Sequence, residues 1–436
     1  MKKAAEAIWL VARNILFIGF TLQICLGLIW MAGNFTKLQD FAPVTSGVYP
    51  VLTRLAGRFF PLVYLMQAGA ALYAGCRLLR KLQAGARVCL WGSLALMTLP
   101  MAMQCHLALL PYSFVGSLEL LELSFFWEAD EEKDSAGLRP FAAILACYGA
   151  QCLLWPVYAI PGAILPLISL LRKLPGMFRS REGLRRGLVS AVCFLAVAAA
   201  GFGFGCSGSG GEGGIPQWRW MLAKRVCWPT LWVDWSRILE EGILTEDVLW
   251  RSSYYPYSME ESLKPALEKA MSPEDGEALV EKMTEYAWKI HSPMIIKQIG
   301  WDVLGYGVTP LILPLQLAGD AYDSCSGRNY EIMRNEMPVA TKYYVRVACG
   351  WFAVSLLLML AGGAALWIAG FVRARDVLRR GVPVLMVLFA AGMTVLYFTM
   401  QGAGIMDYKY TFWINQLWIL GSIKIMIGNV KGMKIF

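Results

Sequence analysis

The feature that most limits what this chain can fold into is its series of long apolar runs. Runs of about 17 residues or more match what a helix needs to cross a hydrocarbon core of roughly 30 Å. They recur between residues 8 and 205 and again from 346 onward. Charged residues make up 16% of the chain, against about 25% in an ordinary soluble domain. The runs do not alternate polar and apolar as the strands of a membrane barrel would. The sequence is therefore read as an all-α polytopic membrane protein of about ten transmembrane helices. One mainly helical extracytoplasmic domain is inserted before the last three.

The expected spans are 8–31, 60–76, 88–104, 107–127, two short ones within 141–171, then 187–205, 346–372, 382–400 and 410–429. Pro156, Pro161 and Pro166 break the fifth run into its pair, which meets near Trp155-Pro156. Eight spans is the fallback, should 107–127 or that pair lie in the interface. Met1-Lys2-Lys3 is basic like the start of a leader. No small-residue cleavage site follows and the apolar run is too long, so it is read as the first span.

Three organisational parts result: an N-terminal bundle over 1–205 of about seven spans, a polar block over 206–345, and a C-terminal bundle over 346–436. Basic residues gather in short loops: Arg77, Arg80, Lys81 and Arg87; then Arg172, Lys173, Arg179, Arg181, Arg185 and Arg186; then Arg373, Arg375, Arg379 and Arg380. The positive-inside rule puts these loops and both termini in the cytoplasm and residues 206–345 outside. The same loops account for the net charge of +9 without any nucleic-acid surface.

The chain has 11 cysteines and two histidines, with no CxxC pair and no Cys/His cluster, so no zinc site is expected. Cys206, Cys227 and Cys325 lie in the polar block and leave open either one disulfide or a set of free thiols. The block opens on the glycine-rich stretch 206–214, which lacks the closing Gly-Lys-Ser/Thr of a P-loop and reads as a linker. Trp218, Trp220, Trp228, Trp232 and Trp235 follow, interleaved with Arg219, Lys224, Arg225 and Arg237. That mixture suits a headgroup anchor, and also sugar stacking or capture of a lipid phosphate. Ser272-Pro273-Glu274-Asp275 is a helix start. Leu279, Met283, Tyr286 and Ile290 follow it at helical spacing. The apolar stretch 298–317 is expected to be interrupted by Pro310 and Pro314.

Charged groups inside spans are costly unless paired or wetted. Glu119 and Glu122 share a helix face in the fourth expected span. They suit a proton or ion pathway, or a cytoplasmic helix end at which Glu122 reaches water.

Some stretches carry a family resemblance. Pro100 and the run Gln104-Cys105-His106-Leu107-Ala108-Leu109-Leu110-Pro111-Tyr112 resemble the tight turn between the third and fourth spans of GT-C membrane glycosyltransferases. Leu153 to Lys173 is similar to that family's proline-broken helix pair ending on a basic loop. The resemblance implies transfer of a sugar from a polyprenyl-phosphate carrier to an extracytoplasmic acceptor. It implies membrane lipid and the lipid-linked sugar as partners, with no cofactor firmly implied and a divalent metal left open. The family places an acidic residue, often an Asp-Glu pair, in the first outer loop. Here Asp40 stands there, preceded by Gln39.

On that reading Asp40 is the catalytic carboxylate, acting on the acceptor hydroxyl as base or orienter. Arg54 and Arg58, four apart on one helix face, would stabilise the departing phosphate. Gln104, His106, Arg328 and Asn329 complete the candidate substrate- and phosphate-binding set, and no residue is assigned to a metal. Three alternatives remain. A polymerase or ligase of lipid-linked glycans would draw catalytic groups from 206–345. A transporter would depend on Glu119. The third is a non-catalytic membrane receptor or assembly protein.

Overall fold

The computed structural model describes residues 2–35, 48–56, 59–81, 85–107, 109, 111–131, 138–155, 161–177, 180–207, 215, 217–231, 235, 242, 244–253, 259–318 and 350. Among them every regular element is helical and none is a strand. They fall into two compact units, the first made of Met1–Gly201 with residues 310–318 and 350, the second of Phe202–Thr309.

The first unit holds α1 (Lys2–Asn34), α2 (Tyr49–Ala56), α3 (Phe60–Lys81), α4 (Ala86–Met97), α5 (Pro100–His106) and α6 (Tyr112–Glu131). It continues with α7 (Leu138–Leu154), α8 (Ile164–Met177) and α9 (Arg181–Ser207). Its centre is α6, packed against α3 and α7, with α4 on the far side of α3. Small residues let α3 and α4 approach closely. A Cβ on Gly92 would sit 2.7 Å from Leu79 Cδ1, and one on Gly75 would sit 3.1 Å from Ser93 Oγ.

The third expected span is divided. α4 ends at Met97, Thr98 closes its last turn, and Pro100 opens α5 at a position where its missing N–H costs nothing. Two carbonyls of the last turn of α4 have side-chain donors. Thr98 Oγ1 donates to Leu94 O at 2.7 Å, and Gln23 Nε2 of α1 donates to Ala95 O at 2.8 Å. The fourth expected span begins at Tyr112, after Pro111, rather than at Leu107. The proline-broken pair takes the form of α7, a non-helical Trp155, a 3-10 turn at Pro161–Ala163, and α8.

Two helices among the described residues, Phe60–Lys81 and Arg181–Gly201, are long and apolar enough to cross a membrane. The second leaves Leu188, Val189, Val192 and Leu195 more than half exposed. Apolar surface of that kind is unfavourable in water at about 25 cal/mol per Å², and a hydrocarbon surrounding removes the penalty.

The second unit holds α10 (Gln217–Cys227), a 3-10 turn at Trp228–Thr230, and α11 (Glu246–Ser252). A π turn at Met259–Leu263, α12 (Lys264–Ala270) and α13 (Pro273–Ala318) follow, the last belonging to this unit as far as Thr309. Its core is built on Trp220, Trp235, Leu249, Leu263, Leu267 and Val280, each 0% exposed. This corrects the reading of the tryptophan series as headgroup anchors, because Trp220 and Trp235 are interior residues. Trp228 is half-buried against the same core. Arg219 is committed to Glu277 and Glu281 of α13, both at 3.0 Å. Cys227 is buried with its Sγ 3.7 Å from Thr284 Oγ1, and it is not in a disulfide. Cys206 has no described side chain and Cys325 lies outside the described residues.

The expected start of α13 is seen. Ser272 Oγ accepts from Asp275 N at 3.2 Å, and Ser272 O accepts from Gly276 N at 2.9 Å. Its buried stripe is Val280, Met283, Ala287 and Ile295, whereas Ile290 is exposed. The helix continues through Pro310 and Pro314, which the sequence reading took as interruptions. The break falls instead at His291 (φ −113°, ψ 15°). Pro293, two residues on, supplies the cause: it lacks an N–H and its ring clashes with the preceding turn.

Trp220→Ala is expected to destabilise the second unit by about 3–5 kcal/mol, the usual cost of emptying a buried aromatic site. Ser272→Ala, which removes only a cap, is expected to cost about 1 kcal/mol. Limited proteolysis of the full-length protein checks both: cleavage within 202–309 should accelerate strongly for the first variant and slightly for the second.

Candidate functional site

The candidate transferase residues are unequally described. Asp40, Arg58, Arg328 and Asn329 lie outside the described residues, and Gln104 falls on α5 without a described side chain. Arg54 stands exposed in the last turn of α2. His106 ends α5 and is buried at 0% exposure, with its Nδ1 2.6 Å from Ser113 Oγ on α6.

The His106 position corrects an expectation. Burial pushes its imidazole down to about 3, so the ring is neutral at physiological pH. A buried neutral ring has neither the charge nor the exposed face that phosphate binding requires. Its geometry makes it a pin between α5 and α6.

Around the segment that carries Asp40 the structure gathers one end of the bundle. Before that segment, Phe35 packs edge-on against Tyr64 of α3 with ring centroids 6.4 Å apart. After it, Val48 N donates to Leu153 O at the end of α7, at 2.8 Å. Tyr49 is buried at 1% exposure, and its hydroxyl accepts from Gln67 Nε2 of α3 at 2.8 Å. The Tyr49 ring also meets Phe114 near the start of α6, and Tyr112 meets Trp155 with centroids 4.9 Å apart. Burial, with Tyr64 adding to it, pushes the Tyr49 hydroxyl above its ordinary value, so it stays neutral as a hydrogen-bonding group. Aromatic rings with one polar tip suit a membrane–water boundary, where one end is apolar and the other wet.

The opposite end of α6 is ionic. Arg77 of α3 donates to Glu128 Oε2 at 2.8 Å and to Ser124 Oγ at 3.0 Å, and its guanidinium lies 4.1 Å from the Phe125 ring centroid. Lys81 Nζ is 3.5 Å from Glu128. This places the basic end of α3 and the acidic end of α6 together, at the end of α6 remote from Tyr112.

Between the two ends lie Glu119 and Glu122, at 2% and 0% exposure. They sit about 10 Å and about 15 Å along α6 from its start. Glu122 therefore does not reach water, as the sequence reading had it. Gln151 of α7, also 0% exposed, donates its Nε2 to Glu122 Oε2 at 3.1 Å. No group of three or more His, Cys, Asp or Glu that could hold a metal ion occurs among the described residues.

The sequence reading missed Tyr49, Gln67 and Gln151. Glutamines inside apolar runs were the available signal, since a buried amide in a membrane helix needs a partner.

The chain matches no family model, and neither a curated protein nor a solved structure shows significant similarity to it.

Two outcomes are expected from this geometry. Tyr49→Phe removes the bond from Gln67 and should lower stability by about 1 kcal/mol, read as a lower melting temperature in detergent. For His106, the unfolded imidazole titrates near 6.5 and the folded one at about 3. The neutral form is favoured in the fold, so this stability is present above about pH 6.5 and is lost as pH falls through that window. The melting-temperature gap between wild type and His106→Asn should therefore narrow from neutral to acidic pH.

Proposed function

We propose that this chain is an integral membrane glycosyltransferase of the GT-C type, with about ten spans, both termini cytoplasmic and residues 206–345 outside. It moves a sugar from a polyprenyl-phosphate carrier to an extracytoplasmic acceptor. The observation that carries the reading is the convergence at one end of the bundle. The residues flanking the Asp40 segment, Phe35 and Val48, are both fixed to the end formed by α3, the start of α6 and the close of α7. Arg54 is exposed on the helix that follows. An exposed cation on α2, at the end of the bundle where the residues on either side of the Asp40 segment are fixed, supports transfer from a lipid phosphate. The chemistry needs a base or orienter at the acceptor hydroxyl and positive charge at the departing phosphate. The proline-broken pair α7 and α8 and the tight turn before Tyr112 fit the same topology.

A second reading, a transporter, is favoured by one specific observation, the burial of Glu119 and Glu122 within the bundle. The two readings separate by mutation. A transferase depends on Asp40, and a transporter depends on Glu119.

The purified protein, incubated with a polyprenyl-phosphate sugar and lipid or glycan acceptors, should release polyprenyl phosphate. Asp40→Asn should lower turnover by about 10²-fold or more, the usual loss for a missing general base. Arg54→Ala should weaken use of the lipid donor, with Arg54→Lys restoring part of it. Turnover unchanged in Asp40→Asn would sink the assignment.

A further inference from the structure

The buried centre of α6 holds polar groups that the transferase reading does not use. Glu122 is 0% exposed and its carboxylate has one hydrogen bond, from Gln151 Nε2 at 3.1 Å. Its other oxygen, Oε1, is buried without a partner, and so is Oε1 of Gln151. Two buried acceptors therefore face an interior that offers them no donor. Glu119, one turn back on the same helix at 2% exposure, is close enough to act electrostatically on Glu122.

Among the described residues, the elements packed around α6 bring no cation to Glu122. From α3, Arg77 is engaged with Glu128 and Ser124 nearer the end of α6. From α7 come Cys147, Tyr148 and Cys152, all within electrostatic reach of Glu122, and neither a thiol nor a phenol can carry positive charge. From α5, His106 is engaged with Ser113. α8 brings no described titratable side chain. A carboxylate left charged in such surroundings is among the most costly arrangements a bundle can hold. A proton removes the charge, and it also turns one of the two orphaned acceptors into an O–H donor. A metal ion would need several more ligands than this cluster supplies.

We propose that Glu119 and Glu122, joined to α7 through Gln151, form a proton-binding site in the middle of the helical bundle. The site takes up one proton from the surrounding water and releases it there, with no other reactant. The proton resides on the Glu122 carboxyl, where it removes that group's charge and completes the hydrogen bonding between α6 and α7.

Infrared spectroscopy of the full-length protein in lipid at neutral pH tests this directly, because a protonated carboxyl has a C=O band that ionised carboxylates lack. A protonated-carboxyl band is expected in the wild type and should be lost in Glu122→Gln, which removes the carboxyl that carries the proton. Absence of that band from the wild type at neutral pH overturns the proposal, whatever the variants do. Thermal melting gives a second readout. Glutamine has the shape and neutrality of a protonated glutamate, so Glu122→Gln should melt within a few degrees of wild type. A large drop in its melting temperature, together with no change in the band, would mean that the carboxyl is held charged, and would also overturn the proposal. Neither measurement uses sugar transfer, so its outcome is independent of the transferase assignment.

Discussion

Inside an apolar bundle every polar group must find its partner within the protein, and α6 is where that constraint is concentrated. Its start is ringed by aromatic side chains that touch α2, α7 and Trp155. Its far end is bound ionically to α3 through Arg77 and Lys81. Both ends therefore fix the helix along its axis, and the carboxylates between them are held at a set depth. A helix tied only by apolar contacts could slide or rotate at little cost, since hydrocarbon and leucine are similar surroundings. The polar ties give α6 one position.

The second unit solves a different problem. Its two described tryptophan interiors, Trp220 and Trp235, lie among leucines, valine and methionine, and Arg219 is held on its surface by two glutamates of α13. The result is a filled core with paired charges outside it. The same residue types, tryptophan beside arginine, serve a headgroup belt when they lie at a membrane surface. Composition does not distinguish the two. The buried stripe through Val280, Met283 and Ala287 does, because it faces the tryptophans.

Much of the helix pattern was legible because it rests on local chemistry. Pro100, Pro111 and Pro161 begin or follow breaks for the reason any proline does, and Ser272 caps α13 through a bond that the sequence spells out in four residues. What escaped was whatever depends on the neighbour across the interface. Nothing around Glu122 announces that Gln151, 29 residues on, covers it. His106 looks like a ligand in isolation and is a buried pin once Ser113 is opposite. The stripe of α13 was misjudged by about one position because Leu279, Tyr286 and Ile290 repeat as well as the residues that are buried. Periodicity gives a face, and only packing says which of two adjacent faces is covered. Pro310 and Pro314 misled in the other direction, since the helix runs through both.

The break between α4 and α5 has a mechanical consequence. Two short rods meet at Thr98 and Leu99, and the free carbonyls of the first are held by Thr98 and by Gln23 of α1. The joint is thus bridged by side chains and not by the continuous ladder of a single helix. Side-chain bonds tolerate a change of angle that ladder bonds do not. α5 is then fixed at its tip, where His106 meets Ser113 of α6, while α4 packs closely on α3 at Gly75 and Gly92. The bend between the two rods is thereby set from both sides by side chains.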